Sequence, residues 1–149
     1  MKKVAILFLL LSSTGLWAQT AVSKAHAHND YEHERPFYEA FRLGFGSIES
    51  DVYAVNGQLL VAHDVKDLKA SRTLQNLYLD PIIQVLKSGK AGNFHQFLID
   101  CKTSADSTLP LIIQALEPHK DLILKNKLRI VISGNRPQVA DYVKYPNWI

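Results

Sequence analysis

The sequence predicts an α/β fold with a mostly parallel sheet, and three observations support this. Short apolar runs typical of buried strands alternate along the chain with helix-forming segments. Turn signals separate these segments, and polar or charged residues follow several of the apolar runs directly. Strands that alternate with helices form right-handed β-α units and pair in parallel. We therefore expect the N-terminal portion of a (β/α)8 barrel, truncated, because a complete barrel typically needs ~250 residues and only about four such units are predicted here.

Each element is predicted from its local pattern. Strands are expected at residues 24–28, 47–55, 59–62, 97–101 and 128–133, where apolar residues dominate. Asn56-Gly57, between the second and third strands, is a strong hairpin signal. Helices are expected at residues 36–43, 80–86 and 109–116, and a further one is expected to begin at 137–142. The first should end at Gly44 and the second, which opens with Asp80-Pro81, at Ser88-Gly89.

Residues 1–18 have the layout of a secretory signal peptide, which separates them from a domain at residues 19–149. Lys2 and Lys3 precede an apolar stretch at residues 4–11, and small or polar residues follow it. That stretch is well short of the ~20 residues that a membrane-spanning helix needs. We expect cleavage after Ala18, giving an exported protein, periplasmic or extracellular, without a stable membrane span.

The charge balance and the cysteine count exclude other classes. Loss of Lys2 and Lys3 with the leader lowers the number of basic residues from 17 to 15, against 14 acidic residues. A domain so close to neutral gives no case for nucleic-acid binding. Cys101 is the single cysteine of the chain, so no intramolecular disulfide can form. Stability must therefore come from a packed core or from a bound metal.

Chemically active side chains lie at the ends of the predicted strands. In strand order they are His26 and His28, then Glu49 and Asp51, then His63 and Asp64, then Asp100 and Lys102, and finally Ser133 and Asn135. The carboxyl ends of barrel strands form the rim at which active sites are assembled. We therefore expect these side chains to share one site.

The pair Glu49 and Asp51 predicts a metal-assisted hydrolytic site. Residues two apart on a strand project to the same side, so both carboxylates can share one cation. Oxygen ligands favour Mg²⁺ or Ca²⁺, and histidines beside the ion can transfer protons. We expect one divalent cation here.

The ordered set of motifs resembles the phosphatidylinositol phospholipase C-like phosphodiesterase superfamily, which includes glycerophosphodiester phosphodiesterases. The resemblance rests on residues 26–31, 46–52, 60–64 and 99–102. The variant His-x-His-Asn-Asp-Tyr at residues 26–31, together with residues 72–75 and 77–81, is similar to the branch named altered inheritance of mitochondria protein six. The resemblance implies a TIM-type barrel and a phosphoric diester hydrolase with a small phosphodiester or lipid-headgroup substrate.

The resemblance also implies roles for individual residues. It makes His63 one of two catalytic acid/base histidines, and the other is His28 or His26, of which His28 is closer to the family pattern. Metal ligands are implied at Glu49, Asp51 and Asp100. Lys102 is implied beside them as a catalytic cation. We expect Asn29 and Asn135 as substrate contacts.

Two alternatives stay open. His26-x-His28 also resembles the zinc ligands of amidohydrolase-like metal hydrolases, but these need further histidines at later strand ends, and neither His95 nor His119 is predicted there. The chain could instead be a non-catalytic binding module or an inactive half-barrel, since about half of the expected strands are absent. The exact substrate, the choice between Mg²⁺ and Ca²⁺ and the oligomeric state also stay open.

Overall fold

A computed structural model describes residues 22–149, and in it one five-stranded sheet organises the chain. The strands are β1 (His26–Ala27), β2 (Ser47–Val55), β3 (Gln58–Val61), β4 (Gln96–Cys101) and β5 (Arg129–Gly134). Strands β1, β2, β4 and β5 are parallel and lie in that order, and β3 pairs antiparallel with β2. The α/β class with a parallel sheet is therefore confirmed.

Helices connect the parallel strands. They are α1 (Tyr38–Leu43), α2 (Asp80–Ser88), α3 (Ala105–Leu116) and α4 (Lys120–Lys125), and a π-helical segment at Gln75–Leu79 leads into α2. As predicted, α1 and α2 end at Gly44 and Gly89, which adopt the left-handed conformation that glycine tolerates. Of the described helices, none is long and apolar enough to cross a membrane.

The β2–β3 hairpin forms where Asn56-Gly57 predicts it. Both residues have positive φ angles, 50° and 77°, as a tight two-residue turn requires. The turn sets the register in which Val52 lies opposite Val61. Because β3 runs antiparallel from Val55 back to Val52, it brings the following His63 beside Asp51 in the middle of β2.

The apolar core packs against one face of the parallel sheet. Ile48 and Val52 of β2 and Phe97 and Ile99 of β4 are fully buried and, by the strand register, share that face, whereas Glu49, Asp51 and Asp100 belong to the other face. Tyr78 stacks on Phe97, with ring centroids 5.3 Å apart, and so packs the π-helical segment against the sheet. The functional side chains on the opposite face of the sheet are therefore backed by a packed core.

The sheet is open within residues 22–149. β1 pairs only with β2, and β5 pairs only with β4, so each has one free edge. Four parallel strands with helical crossovers are consistent with part of a TIM-type barrel, but the described strands do not close into one. The predicted signal peptide at residues 1–18 lies outside the described residues.

Several element bounds differ from the sequence prediction. β1 has two residues instead of five, because the chain turns at His28 and Asn29. Helix α3 begins four residues before the predicted start, in a polar first turn that lacks apolar periodicity. Helix α4 was not predicted, and the segment expected as a helix from 137 is a 3-10 helix at Val139–Lys144.

Candidate functional site

The register of the parallel strands aligns the site. Asp51 of β2 lies opposite Asp100 of β4, and Asp100 lies opposite Ser133 of β5. Asp100 and Ser133 stand near the carboxyl ends of β4 and β5, and Asp51 stands in the middle of β2, next to the point where its pairing with β4 ends. The sheet thus brings together residues that are more than eighty positions apart in the chain.

Asp51 is the centre of the cluster. Its side chain is only 2% exposed, and one oxygen, Oδ2, receives three contacts. Tyr31 Oη lies at 2.7 Å, Lys102 Nζ at 2.9 Å and His63 Nδ1 at 3.2 Å. These contacts compensate the cost of burying the Asp51 charge.

Lys102 bridges the two aspartates. Its ammonium lies 2.7 Å from Asp100 Oδ2 as well as 2.9 Å from Asp51 Oδ2. Burial alone would raise the pKa of Asp100, but hydrogen bonds from Lys102 and from the Ser133 hydroxyl outweigh it and hold that pKa below its usual value. Burial likewise opposes the charge on Lys102, yet its two carboxylate partners raise its pKa. Both shifts favour the charged forms of Lys102 and Asp100.

Both histidines of the first motif face Glu49. His26 Nε2 lies 3.1 Å from Glu49 Oε2, and its Nδ1 lies 2.8 Å from the Ser47 hydroxyl, so both ring nitrogens have protein partners. His28 Nε2 lies 3.7 Å from the same Glu49 oxygen, beyond ordinary hydrogen-bond distance, and the His28 side chain is 70% exposed. His26 is thus held in place, and His28 is open to solvent.

Tyr31 is a site residue for which the sequence argument gave no role. The residue is 3% exposed, and its hydroxyl contacts Asn29, Asp51 and His63. Burial, reinforced by the Asp51 carboxylate, raises the pKa of Tyr31 far above its usual value, so the hydroxyl keeps its proton. Tyr31 ends the His-x-His-Asn-Asp-Tyr motif, and only that membership in the motif signalled it.

Asp30 anchors the loop that carries His28 and Tyr31. Its buried carboxylate accepts hydrogen bonds from the Phe37 backbone N–H and from the Tyr78 hydroxyl. Phe37 is the centre of a γ-turn with a φ of 65°, a strained conformation that needs such support. Burial raises the pKa of Asp30 despite these two donors. Asp30 thus ties the histidine loop to the core.

The two predicted asparagine contacts lie at opposite sides of the cluster. The Asn29 side-chain oxygen is 2.9 Å from the Tyr31 hydroxyl, and Asn29 itself is in the left-handed conformation. Asn135 donates from its side chain to the Lys102 carbonyl oxygen at 3.0 Å. Both therefore border the site, Asn29 beside Tyr31 and Asn135 beside Lys102.

The two remaining histidines of interest lie elsewhere. His95 immediately precedes β4, at the end of that strand opposite to Asp100, and its Nδ1 lies 2.9 Å from the Asn93 carbonyl oxygen. His119 ends a 3-10 helix that follows α3. Neither of them reaches the strand ends that an amidohydrolase-like metal site would use.

The donor types at this edge of the sheet fit a hard divalent cation. Glu49, Asp51 and Asp100 offer carboxylate oxygens, which Mg²⁺ and Ca²⁺ prefer. In the described arrangement Lys102 already neutralises one oxygen of each aspartate. Within residues 22–149 no three His, Cys, Asp or Glu side chains are gathered closely enough to hold an ion. The ligand types therefore suit such a cation, although the side chains are not arranged around a common point. The carboxylate oxygens that do not contact Lys102 would have to hold the cation.

A cavity of about 310 Å³ adjoins His63. Its walls include charged side chains of both signs, namely Glu32, Asp67, Lys69 and Arg72. Arg72 also donates to the Tyr31 carbonyl oxygen and so joins the cavity wall to the site. The cavity is large enough for a small polar group that is part of a molecule bound beside His63.

Sequence comparison gives the family of this α/β sheet and its cluster of acids, a lysine and histidines. The chain matches the AIM6-like phosphodiesterase domain over residues 14–97. It therefore belongs to the AIM6-like phosphodiesterase domain family, as the motifs predict. The matched region includes Glu49, Asp51 and His63, whereas Asp100 and Lys102 lie beyond it.

Curated relatives agree with this assignment. The chain is 34% identical over 128 residues to an altered inheritance of mitochondria protein 6 homolog of Arthroderma benhamiae, a match that covers 70% of the chain and 41% of that relative. It is 36% identical over 109 residues to altered inheritance of mitochondria protein 6 of Lachancea thermotolerans, covering 65% of the chain and 24% of that relative. The chain thus spans less than half the length of these relatives. No solved structure matches it.

Proposed function

We propose that this chain carries the catalytic residues of a metal-dependent phosphodiester hydrolase that uses histidine general acid/base catalysis. The single observation behind the proposal is the convergence of His63 and Lys102 on Asp51 of β2 in a chain of the AIM6-like phosphodiesterase domain family. Phosphodiester cleavage needs a positive charge beside the phosphoryl oxygens and two groups that exchange protons. The cluster offers both.

His63 and His28 are the proposed proton-transfer groups. His63 is about half exposed and is supported from behind by Asp51, so its outer nitrogen is available to a substrate. His28 is the more open of the two first-motif histidines. Both nitrogens of His26 have protein partners, which suits a residue that orients Glu49.

Lys102 and a divalent cation are the proposed charge stabilisers. Lys102 is held between two carboxylates and stays charged over the whole physiological pH range. Glu49, Asp51 and Asp100 would hold one Mg²⁺ or Ca²⁺, which would supply further positive charge for the non-bridging phosphoryl oxygens. Asn29 and Asn135, at either side of the cluster, are proposed to contact the substrate.

The proposed substrate is a glycerophosphodiester or a phospholipid-headgroup type of diester. The cavity beside His63 is small and carries both positive and negative side chains. Such a lining suits a hydroxyl-bearing or zwitterionic alcohol group better than an acyl chain, because charged side chains pair with polar groups and an acyl chain offers none.

An inactive half-barrel is the second candidate, and the free edges of β1 and β5 favour it. We propose that the sheet corresponds to the first half of a TIM-type barrel. Loops after the later strands of such a barrel contribute to the active-site rim. Export as a periplasmic or extracellular protein is likewise a proposal from the leader sequence.

Turnover by the purified chain tests the function. Hydrolysis of bis(p-nitrophenyl) phosphate and of a glycerophosphodiester panel would be followed with Mg²⁺, with Ca²⁺ and with EDTA. The proposal expects metal-dependent turnover that Glu49→Gln abolishes. A folded sample without turnover in any condition would favour the inactive half-barrel. Turnover that EDTA leaves unchanged would contradict the metal requirement.

A further inference from the structure

The hydroxyl of Tyr31 is the meeting point of three polar groups. Its oxygen lies 2.7 Å from Asp51 Oδ2, 2.9 Å from Asn29 Oδ1 and 3.2 Å from His63 Nδ1. Asp51 Oδ2 also lies 3.2 Å from the same His63 nitrogen. Tyr31 Oη, Asp51 Oδ2 and His63 Nδ1 therefore form a closed triangle.

The protons of this triangle can be counted. A tyrosine hydroxyl has one proton to donate and two lone pairs to accept with. Asp51 Oδ2 is the nearest acceptor, at 2.7 Å, so the hydroxyl proton goes to Asp51. The Tyr31 oxygen then accepts one bond from the Asn29 amide, turned so that its NH₂ group faces the tyrosine, and one from His63 Nδ1–H.

The opposite tautomer of His63 is unfavourable in this geometry. If Nδ1 had no proton, its lone pair would face the Asp51 carboxylate at 3.2 Å with nothing between them. Tyr31 could then donate to His63 only by leaving its own oxygen against Asp51 Oδ2 at 2.7 Å without a proton. Both contacts are repulsive, because each brings two electron pairs together.

We propose that Tyr31 is a positioning residue that, together with Asp51, fixes the neutral His63 imidazole with its proton on Nδ1. Nε2 is then unprotonated and faces outward, which is the state required of a general base. This inference rests on the proposed function and deepens it: His63 is the group that accepts a proton first, and His28 is left as the donor. Triads in which a carboxylate selects the histidine tautomer follow the same logic.

The tautomer can be measured without any substrate. Long-range ¹H–¹⁵N correlation spectra of the full chain at pH ~8, where an ordinary imidazole is neutral, distinguish protonated from unprotonated ring nitrogens. The expected result for His63 is a protonated Nδ1 and an unprotonated Nε2. A proton on Nε2, or averaged signals that show both tautomers, would overturn the proposal. Since the wild-type spectrum alone can do this, the test does not depend on the folding of a variant.

Two tyrosine variants then isolate the part played by Tyr31. Tyr31→Phe removes the hydroxyl and keeps the buried ring, and the His63 signals should move toward a tautomer mixture. Tyr53→Phe is the matched control, because the Tyr53 hydroxyl also contacts His63, but through the backbone carbonyl oxygen at 2.8 Å. Identical His63 signals in the two variants would show that Tyr31 has no positioning role.

Kinetics add a second readout. In an active chain, Tyr31→Phe should lower kcat on the order of 10-fold and change KM little. This reduction of kcat is smaller than the ~10²–10⁴-fold reduction expected when a general base is lost. A chain without diesterase activity would count against the proposed function, and the spectra would still decide the tautomer.

Discussion

Replacing Lys102 with methionine should destabilise the fold as well as the site. Asp51 and Asp100 lie opposite each other on paired strands, and the Lys102 ammonium contacts the Oδ2 atom of each. Removing one member of a buried ion pair costs ~3–5 kcal/mol. The Lys102 side chain is 26% exposed, and Tyr31 and Ser133 still donate to the aspartates, so we expect a loss of about 2 kcal/mol.

Urea unfolding monitored by circular dichroism measures this loss. Lys66→Met is the matched control, since Lys66 pairs with Asp64 at 3.2 Å on the exposed surface and its removal should leave the midpoint unchanged. Adding Asp100→Asn to Lys102→Met should recover part of the stability, because it removes the repulsion between the facing aspartates. Equal midpoints for Lys102→Met and Lys66→Met would refute the reasoning.

Four further outcomes follow from the structure. Gly134→Ala should lower the melting temperature more than Gly57→Ala, because both glycines have positive φ but only at Gly134 would the new Cβ lie 2.5 Å from a carbonyl oxygen; equal shifts would contradict this. The pKa of Asp100 is lower in the folded than in the unfolded chain, so its charge stabilises the fold above the unfolded pKa of ~3.9, and this stability is lost as pH falls through the folded pKa. Asp100→Asn should therefore reduce the dependence of the urea midpoint on pH between pH 6 and pH 3. An unchanged pH dependence would argue against the pairing of Asp100 with Lys102. Burial raises the pKa of Cys101 to about 12, so Ellman's reagent at pH 8 should label it only after unfolding, and rapid labelling of the native chain would refute its burial. The free edges of β1 and β5 should promote association, which sedimentation velocity would detect, whereas a concentration-independent monomer would count against it.

The elements with strong local signals could be predicted from the sequence. Strand β2 has the predicted bounds, residues 47–55, because its apolar residues and the Asn56-Gly57 turn define it without help from the rest of the chain. The ends of α1 and α2 follow from Gly44 and Gly89 for the same reason. These signals are local and chemically specific.

The misses have tertiary causes. Helix α4 has only six residues, too few for a periodic pattern, and it is stabilised by burying Ile123 in the core. Tyr31 belongs to the His-x-His-Asn-Asp-Tyr motif, but the motif does not say what its hydroxyl contacts, so the sequence assigned it no role. Only the fold places its hydroxyl between Asp51 and His63, which are 20 and 32 positions away along the chain.

The catalytic account depends most directly on His63. The decisive measurement is kcat/KM for a glycerophosphodiester with Mg²⁺ or Ca²⁺, compared among the wild type, His63→Asn and His95→Asn. His95 is the control because it lies at the opposite end of β4. We expect His63→Asn to lower kcat/KM by at least ~100-fold, as loss of a general base does, and His95→Asn to leave it nearly unchanged. Equal effects of the two substitutions, or no turnover by a folded wild-type chain, would contradict the account.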